Sequence, residues 1–299
     1  MTRISVVICC KDRPAETGAC LNSIAKQSRK PDEVVIVDSS QSTQLGELLS
    51  QFSTQTGIPT KYLHDSEAGL ARARNLGVCK SRGDIVSFID DDVVLLENYI
   101  AEIVKVFDGD SSSKVGAVTG ERVMWDDSVK NRLLTSGPLL LAYDIFARVF
   151  LLLHYGDGRF LPSGHPTIIK PGTIDGNVRV EYLVGANMSF RRTVLEEFEF
   201  DEALPYFDDN DIAFRVSRKY HIICATRAKY IHHMSTGGQG RGMYRCRRDV
   251  FYYLRFFNKN YPATLRTKLI SHWSILGFYL RAAVARVMRP ILRNRITAY

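Results

Sequence analysis

The feature that most constrains this chain is the alternation, across its first half, of short apolar runs with longer helical patterns. Ile4-Ser5-Val6-Val7-Ile8, Glu33–Asp38, Thr60–Leu63 and Asp84–Ile89 read as strands. Helical spacing follows each of them: to about Ser28, after Ser39-Ser40, over Gly69–Lys80 with Leu70, Ala73, Leu76 and Gly77 on one side, and over about Glu97–Phe107. A further strand is predicted at Val115–Thr119. Repeated strand–helix units with nearly continuous apolar strands predict an α/β fold with a mostly parallel sheet covered on both faces. Such sheets bind ligands at the carboxyl ends of their strands. Asp38, Asp90-Asp91-Asp92 and the Lys11-Asp12-Arg13 turn all fall at that edge.

The charge balance divides the chain. Over 299 residues it carries 40 Lys+Arg against 32 Asp+Glu, a net charge of +8. Residues 241–299 hold 13 basic groups and one acid, Asp249, a balance of +12; the first 240 hold 27 basic and 31 acidic groups, a balance of −4. An apolar share of 45% excludes a disordered or low-complexity chain. One large domain with an elaborated end is the expectation. The six cysteines include no C-x-x-C pair, which disfavours a zinc ribbon or a disulfide scaffold. Ile4–Cys10 is too short for a secretory apolar region and is followed by Lys11 and Asp12, so a cytoplasmic protein is expected. No run of about 18 apolar residues predicts a membrane span.

The middle, residues 120–180, is less regular. Leu139–Leu153 is apolar with Asp144 and Arg148 four apart on one helical face, and a Gly- and Pro-rich stretch of the kind that forms a cleft or lid follows. Regular structure is predicted again at Glu181–Phe190, Asp209–Tyr220 and Ile222–Ala225.

Three adjacent aspartates at a strand end repel one another unless a cation neutralises them. Mg²⁺ or Mn²⁺, which prefer carboxylate and phosphate oxygens, would do so; the competing reading is a solvated acidic turn capping the next helix. Arg72 and Arg74, two apart on a helix, point in different directions, so one faces the site while the other is solvated. Asp208-Asp209-Asn210-Asp211 opens a helix, where acids either complement the helix dipole or supply a general base. His232 and His233 end a strand before a Gly-rich, donor-rich segment that runs to Arg241 and Gly242, a candidate metal ligand beside a phosphate cradle.

Ser5–Ile8, Glu33–Asp38, Gly69 with Ala73-Arg74-Asn75-Leu76-Gly77, Phe88–Asp92, Gly185–Arg192 and Asp208–Asp211 occur in the order of the blocks of the family-two glycosyltransferases, which have the GT-A fold, and the chain resembles that family over about residues 4–235. The resemblance implies a catalytic domain over 1–240, with a nucleotide-binding half to about 119 and an acceptor half from about 120, and a basic helical extension over 241–299. It implies that Asp12 and Asp38 contact the nucleotide base with Arg74 nearby, that Asp90 approaches the ribose with Asp91 beside it, and that Asp92 holds Mn²⁺ or Mg²⁺ on the donor diphosphate. Asp209 would be the catalytic base and His232 a further metal or diphosphate contact, with Asp208, Asp211, His233 and Arg241 as additional candidates. Asp208 stands where the family usually has Glu. The Gln-x-x-Arg-Trp motif of processive synthases is absent, since Gly240, Arg241 and Gly242 follow Gln239. The expected activity is therefore transfer of a single sugar from a nucleotide-sugar donor, UDP-linked by expectation, to a saccharide or lipid-linked acceptor.

In the extension, Leu276, Leu280, Ala283, Val284, Val287 and Ile291 share a helical face beside Trp273, with Arg281, Arg286, Arg289 and Arg293 opposite; Pro290 is expected to kink or end the helix. Two readings stand level: peripheral contact of residues 269–293 with an anionic membrane, or packing on the body with the arginines in water. Two further functions compete with sugar transfer. A nucleotidyltransferase would show an early Gly-rich loop, which is not found. A nucleic-acid-binding protein would rest on Tyr244, Tyr252, Tyr253 and Phe256 among arginines, which helical packing explains equally well, so no nucleic-acid partner is expected.

Overall fold

The computed structural model describes residues 2–41, 44–67, 69–123, 138–233 and 242–296. Strands β1 (Ile4–Cys10), β2 (Glu33–Asp38), β3 (Thr60–His64) and β4 (Ile85–Ile89) alternate with helices α1 (Pro14–Ala25), α2 (Gln44–Thr56) and α3 (Leu70–Lys80). These four strands are parallel, in the spatial order β3-β2-β1-β4. Beyond β4 the sheet becomes mixed. It continues with β10 (Asn187–Arg191), β6 (Val115–Arg122), β11 (His221–His232) and β5 (Val93–Leu95), and β9 (Asn177–Val180) also pairs with β11, while β7 (His154–Tyr155) and β8 (Thr167–Ile168) form a separate parallel pair. β10 enters antiparallel to both β4 and β6, whereas β6 and β11 are parallel.

Alternate side chains of the strands feed two cores. Ile4, Val6 and Ile8 face Cys20, Leu21 and Ile24 of α1 and Ile100, Ile103 and Phe107 of α4 (Tyr99–Asp108). Val7, Val35, Val86 and Phe88 face Ala71 of α3, Val194 of α6 (Arg192–Glu197) and Ile212 and Val216 of α7 (Asp208–Ser217). Burial on both faces is why these strands read as almost continuous apolar runs.

Three details depart from the sequence expectation. The buried side of α3 carries Ala71, Ala73, Arg74 and Gly77, not Leu70 and Leu76. Small residues let the helix lie close to β1: a Cβ at Gly77 would stand 2.4 Å from Val7 Cγ1. β11 runs twelve residues, far beyond Ile222–Ala225, because a register shift between Ala225 and Lys229 absorbs the polar Thr226 and Arg227. Residues 181–186 connect strands, so regular pairing starts only at Asn187.

The helix predicted in 139–153 is α5 (Pro138–Val149), and its Asp144 and Arg148 are paired at 2.7 Å. The extension forms α8 (Gly242–Asn260) and α9 (Leu265–Ile296). Helix α9 continues past Pro290, where a proline removes one hydrogen bond without ending the helix. Cys246, Val250, Tyr253 and Phe257 of α8 and Phe278 of α9 form a third core with Ala147 and Leu152. The apolar stripe predicted on α9 faces outward: Trp273, Leu276, Leu280 and Val284 are exposed, while Phe278, Ser271 and Ser274 bury the opposite side. The side chains of Val287, Arg289, Ile291 and Arg293 lie outside the described residues. Among the described residues, no helix is long and apolar enough to cross a membrane.

Candidate functional site

The order β3-β2-β1-β4 puts the chain's direction reversal between β1 and β4, and the strand ends there form a crevice. Asp38 ends β2 fully buried; its Oδ2 accepts from the Tyr62 hydroxyl at 2.8 Å and its Oδ1 from the Ser40 amide at 2.8 Å. Asp12, just past β1, sits at φ 55°, a left-handed conformation that Asp tolerates better than most residues. Its amide donates to Ser40 Oγ at 2.7 Å, joining the two turns.

The acidic run after β4 divides by task. Asp91 turns inward and takes Arg13 Nη1 at 3.0 Å, and Arg13 also lies 3.5 Å from Asp92. Burial pushes the Asp91 carboxyl up to about 7 against the Arg13 charge, with Asp92 and Asp90 adding to the rise. Asp90 and Asp92 instead face His232 at the end of β11, whose Nε2 lies 3.0 Å from Asp92 Oδ1. One ligand atom from each of Asp90, Asp92 and His232 falls within 4.8 Å of the others. The antiparallel pairing of His232 with Val93 is what brings the histidine to the acidic turn.

The donor chemistry of this trio, two carboxylate oxygens and one imidazole nitrogen, fits Mn²⁺, and with added water or phosphate oxygens Mg²⁺. Desolvation raises the Asp90 carboxyl against the Arg74 charge, and the Asp92 charge adds to it. A cation would relieve both costs. His233 follows with its side chain exposed, and its amide donates to the Asp92 carbonyl at 3.0 Å. Arg241 and the Gly-rich segment before it lie outside the described residues.

Arg74 is 2% exposed and stands at the centre of the site. Its Nη1 bonds Asp208, its Nη2 donates to the Gly185 carbonyl at 2.8 Å, and the same nitrogen lies 3.5 Å from Asp90. Arg72 turns the other way onto Asp65 and Glu67, as the two-residue spacing predicts. Asp208 and Asp209 occupy the first turn of α7, but only Asp208 is taken by Arg74. Asp209 accepts from the amides of Asn210 at 2.8 Å and Gly185 at 3.2 Å. Desolvation and the adjacent Asp208 charge push Asp209 up to about 6, against the opposing pull of Arg74. A carboxylate raised in this way is a stronger proton acceptor at neutral pH than a solvated one.

A cavity of about 530 Å³ joins these groups, lined by Asp90, His232, Arg74, Asp208 and Asp209. Asp211, grouped with them in the sequence, lies outside it. Three residues beyond Asp208 on a helix, it is fully buried among Arg215, Lys259 and Asn260, where it ties α7 to α8. The sequence placed the turn holding Arg13 at the strand ends without giving Arg13 a partner, and it gave no site role to His165, Arg245, Arg248 or Arg281, which line the cavity. The net charge of +12 in the extension was the available signal for those arginines, but helical phase placed Arg281 only opposite the apolar face, in contact with either a membrane or water.

A family model described as Glycosyl transferase family 2 matches residues 5–198. The chain belongs to glycosyl transferase family 2. Glycosyltransferase GlyG of Streptococcus pneumoniae serotype 4 is 27% identical over 97 residues, 32% of this chain and 32% of that protein. This family-2 chain thus aligns with only about a third of that relative's length. Among solved structures, the mannosyltransferase PcManGT from Pyrobaculum calidifontis, in complex with GDP-Man and Mn²⁺, superposes with a TM-score of 0.58 at 17% identity, covering 99% of this chain and 80% of that one. S. aureus TarS in complex with UDP superposes with a TM-score of 0.56 at 14% identity, covering 91% and 70%. The fold is GT-A.

Proposed function

We propose that this protein is an inverting, metal-dependent glycosyltransferase that moves one sugar from a nucleoside-diphosphate sugar to an acceptor hydroxyl. The observation that carries the reading is a metal-fitting trio, Asp90, Asp92 and His232, two of whose members, Asp90 and His232, line the same cavity as a carboxylate of raised pKa, Asp209. Asp12, Asp38 and Arg74 line the strand ends where the nucleotide would lie; PcManGT holds GDP-Man and Mn²⁺, and TarS holds UDP, on the same fold. Asp90, Asp92 and His232 would hold the divalent ion, which when bound neutralises charge developing on the departing diphosphate.

Asp209 Oδ takes the proton of the acceptor hydroxyl as that oxygen attacks the anomeric carbon. The bond between the anomeric carbon and the diphosphate oxygen breaks, and the electron pair leaves with the nucleoside diphosphate. One displacement inverts the anomeric centre. Arg74 holds Asp208 and the Gly185 carbonyl, which fixes Asp209 through its bond to the Gly185 amide.

The exposed stripe of α9, Trp273, Leu276, Leu280 and Val284, together with the basic balance of the extension, supports peripheral contact with an anionic membrane and hence a lipid-linked acceptor. Such contact would suit a role in cell-surface polysaccharide or glycolipid synthesis.

A screen of donor hydrolysis across sugar nucleotides, with and without Mn²⁺ and with Asp92→Ala as control, tests the central reading. Metal-stimulated hydrolysis of one donor, lost in Asp92→Ala, is expected. Failure of every donor to bind or hydrolyse in the presence of Mn²⁺ would overturn it.

A further inference from the structure

The cavity has two chemically different walls. One carries the carboxylates of Asp90, Asp208 and Asp209; the other is built by the basic extension and by His165. On that second wall Arg245 and Arg248 both pair with Asp249, at 3.6 and 2.8 Å. Arg248 also lies 3.9 Å over the Tyr206 ring, which fixes the plane of its guanidinium. Arg281 reaches the same wall from α9 and has no carboxylate partner among the described residues. Three arginines of the extension therefore line the cavity together with Asp249.

His165 supplies a second, independent observation. Its ring is 6% exposed and stacks on Tyr253 at 4.9 Å, and its Nε2 is buried without a hydrogen-bond partner among the described residues. A buried polar nitrogen left unpaired is costly, so this one calls for a partner that the described residues do not supply. Burial, with Arg281 adding, holds the imidazole neutral, pushed down to about 3, so it can present one N–H.

We propose that His165, Arg245 and Arg281, with Arg248 beside them, form a phosphate-binding subsite for the acceptor. This rests on the reading that Asp90, Asp92 and His232 receive the donor diphosphate, which leaves the basic wall, on different elements, to the other substrate. Guanidinium groups pair with phosphate oxygens through two parallel hydrogen bonds, and an imidazole N–H adds a third direction. The acceptor is thereby held by its phosphate while its hydroxyl meets Asp209. Leu153 and Phe278 line the cavity alongside Arg281, and the exposed Leu280 precedes it on α9, so an alkyl chain leaving the subsite runs toward the apolar stripe.

The full chain, saturated with Mn²⁺ and with UDP or GDP, is titrated calorimetrically with dodecyl phosphate below its micelle concentration and separately with inorganic phosphate. Wild type is expected to bind dodecyl phosphate. Arg245→Gln/Arg281→Gln weakens it about tenfold or more, the order expected for losing a charge-assisted hydrogen bond. His165→Phe, which keeps the ring stacked on Tyr253, weakens it severalfold. Both variants bind the nucleotide within about twofold of wild type. Inorganic phosphate binding with the same variant dependence assigns the subsite to the phosphate group itself, and response to dodecyl phosphate alone assigns it to a lipid phosphate; either supports the proposal. Unchanged probe affinity in both variants, or no probe binding by a wild type that does bind nucleotide, overturns it. A parallel loss of nucleotide affinity in the variants also overturns it, by giving the arginines to the donor. A wild type that binds neither UDP nor GDP with Mn²⁺ fails at the earlier step, the donor reading itself.

Discussion

Arg74 and Asp208, 134 residues apart, form a buried ion pair that decides which of two adjacent aspartates remains available in the cavity. With Asp208 held by Arg74, Asp209 is left to accept from two backbone amides and to carry a raised pKa. Substituting Arg74 by Met leaves Asp208 buried and uncompensated. The expected cost is about 3–5 kcal/mol of folding stability, since an orphaned buried charge costs more than the pair contributes. Urea denaturation measures it, and the double variant Arg74→Met/Asp208→Asn should recover part of the loss.

Asp209→Asn is expected to lower sugar transfer by roughly 10²–10⁴-fold, the usual contribution of a positioned general base. Nucleoside diphosphate binding with Mn²⁺ stays near wild type, because Asp209 is not one of the metal-fitting residues. Near-normal turnover in this variant would assign the base to another residue.

The pH profile follows from the same carboxyl. Asp209, raised to about 6, holds a proton below that pH and cannot take one from the acceptor; above it the carboxylate is free. The rate kcat/KM should therefore rise through about pH 6 and level off by pH 7–8, and the acidic limb should vanish in the residual activity of Asp209→Asn.

Removal of either end of the metal-fitting trio should act on donor binding. Asp92→Ala and His232→Ala are each expected to weaken Mn²⁺-dependent nucleotide binding by about tenfold or more, the scale at which loss of one ligand from a site of few protein ligands is felt. Calorimetry with UDP and GDP, with and without a chelator, reads this directly. A chelator without effect on wild type would remove the metal from the mechanism.

Gly77→Ala tests the packing that positions Arg74. A methyl group there would meet Val7 Cγ1 at 2.4 Å, so α3 must move away from β1. The gain in helix propensity, up to about 1 kcal/mol, is outweighed by overpacking of about 1–3 kcal/mol. Lower stability with reduced turnover is expected, because Arg74 lies one turn before Gly77.

The sequence by itself determined the parallel half of the sheet. Strands buried on both faces must be apolar at nearly every position, and Val6–Ile8, Val34–Val37 and Ile85–Ile89 are. It also determined that carboxylates gather at the strand ends, because Asp38 and Asp90–Asp92 directly follow those runs. Only the tertiary structure decided their tasks. Asp91 turned to Arg13, Asp92 met His232, Arg74 chose Asp208, and Asp211 was drawn to Lys259 and Asn260 of the extension. The same holds for α9, where Arg281 joined the cavity and Leu280 went outward, because Phe278 docks against Tyr253. Periodicity is local and is written along the chain. Ion-pair partners and the side on which a helix docks are settled by contacts between segments far apart in sequence, where burial leaves each charge few places to go.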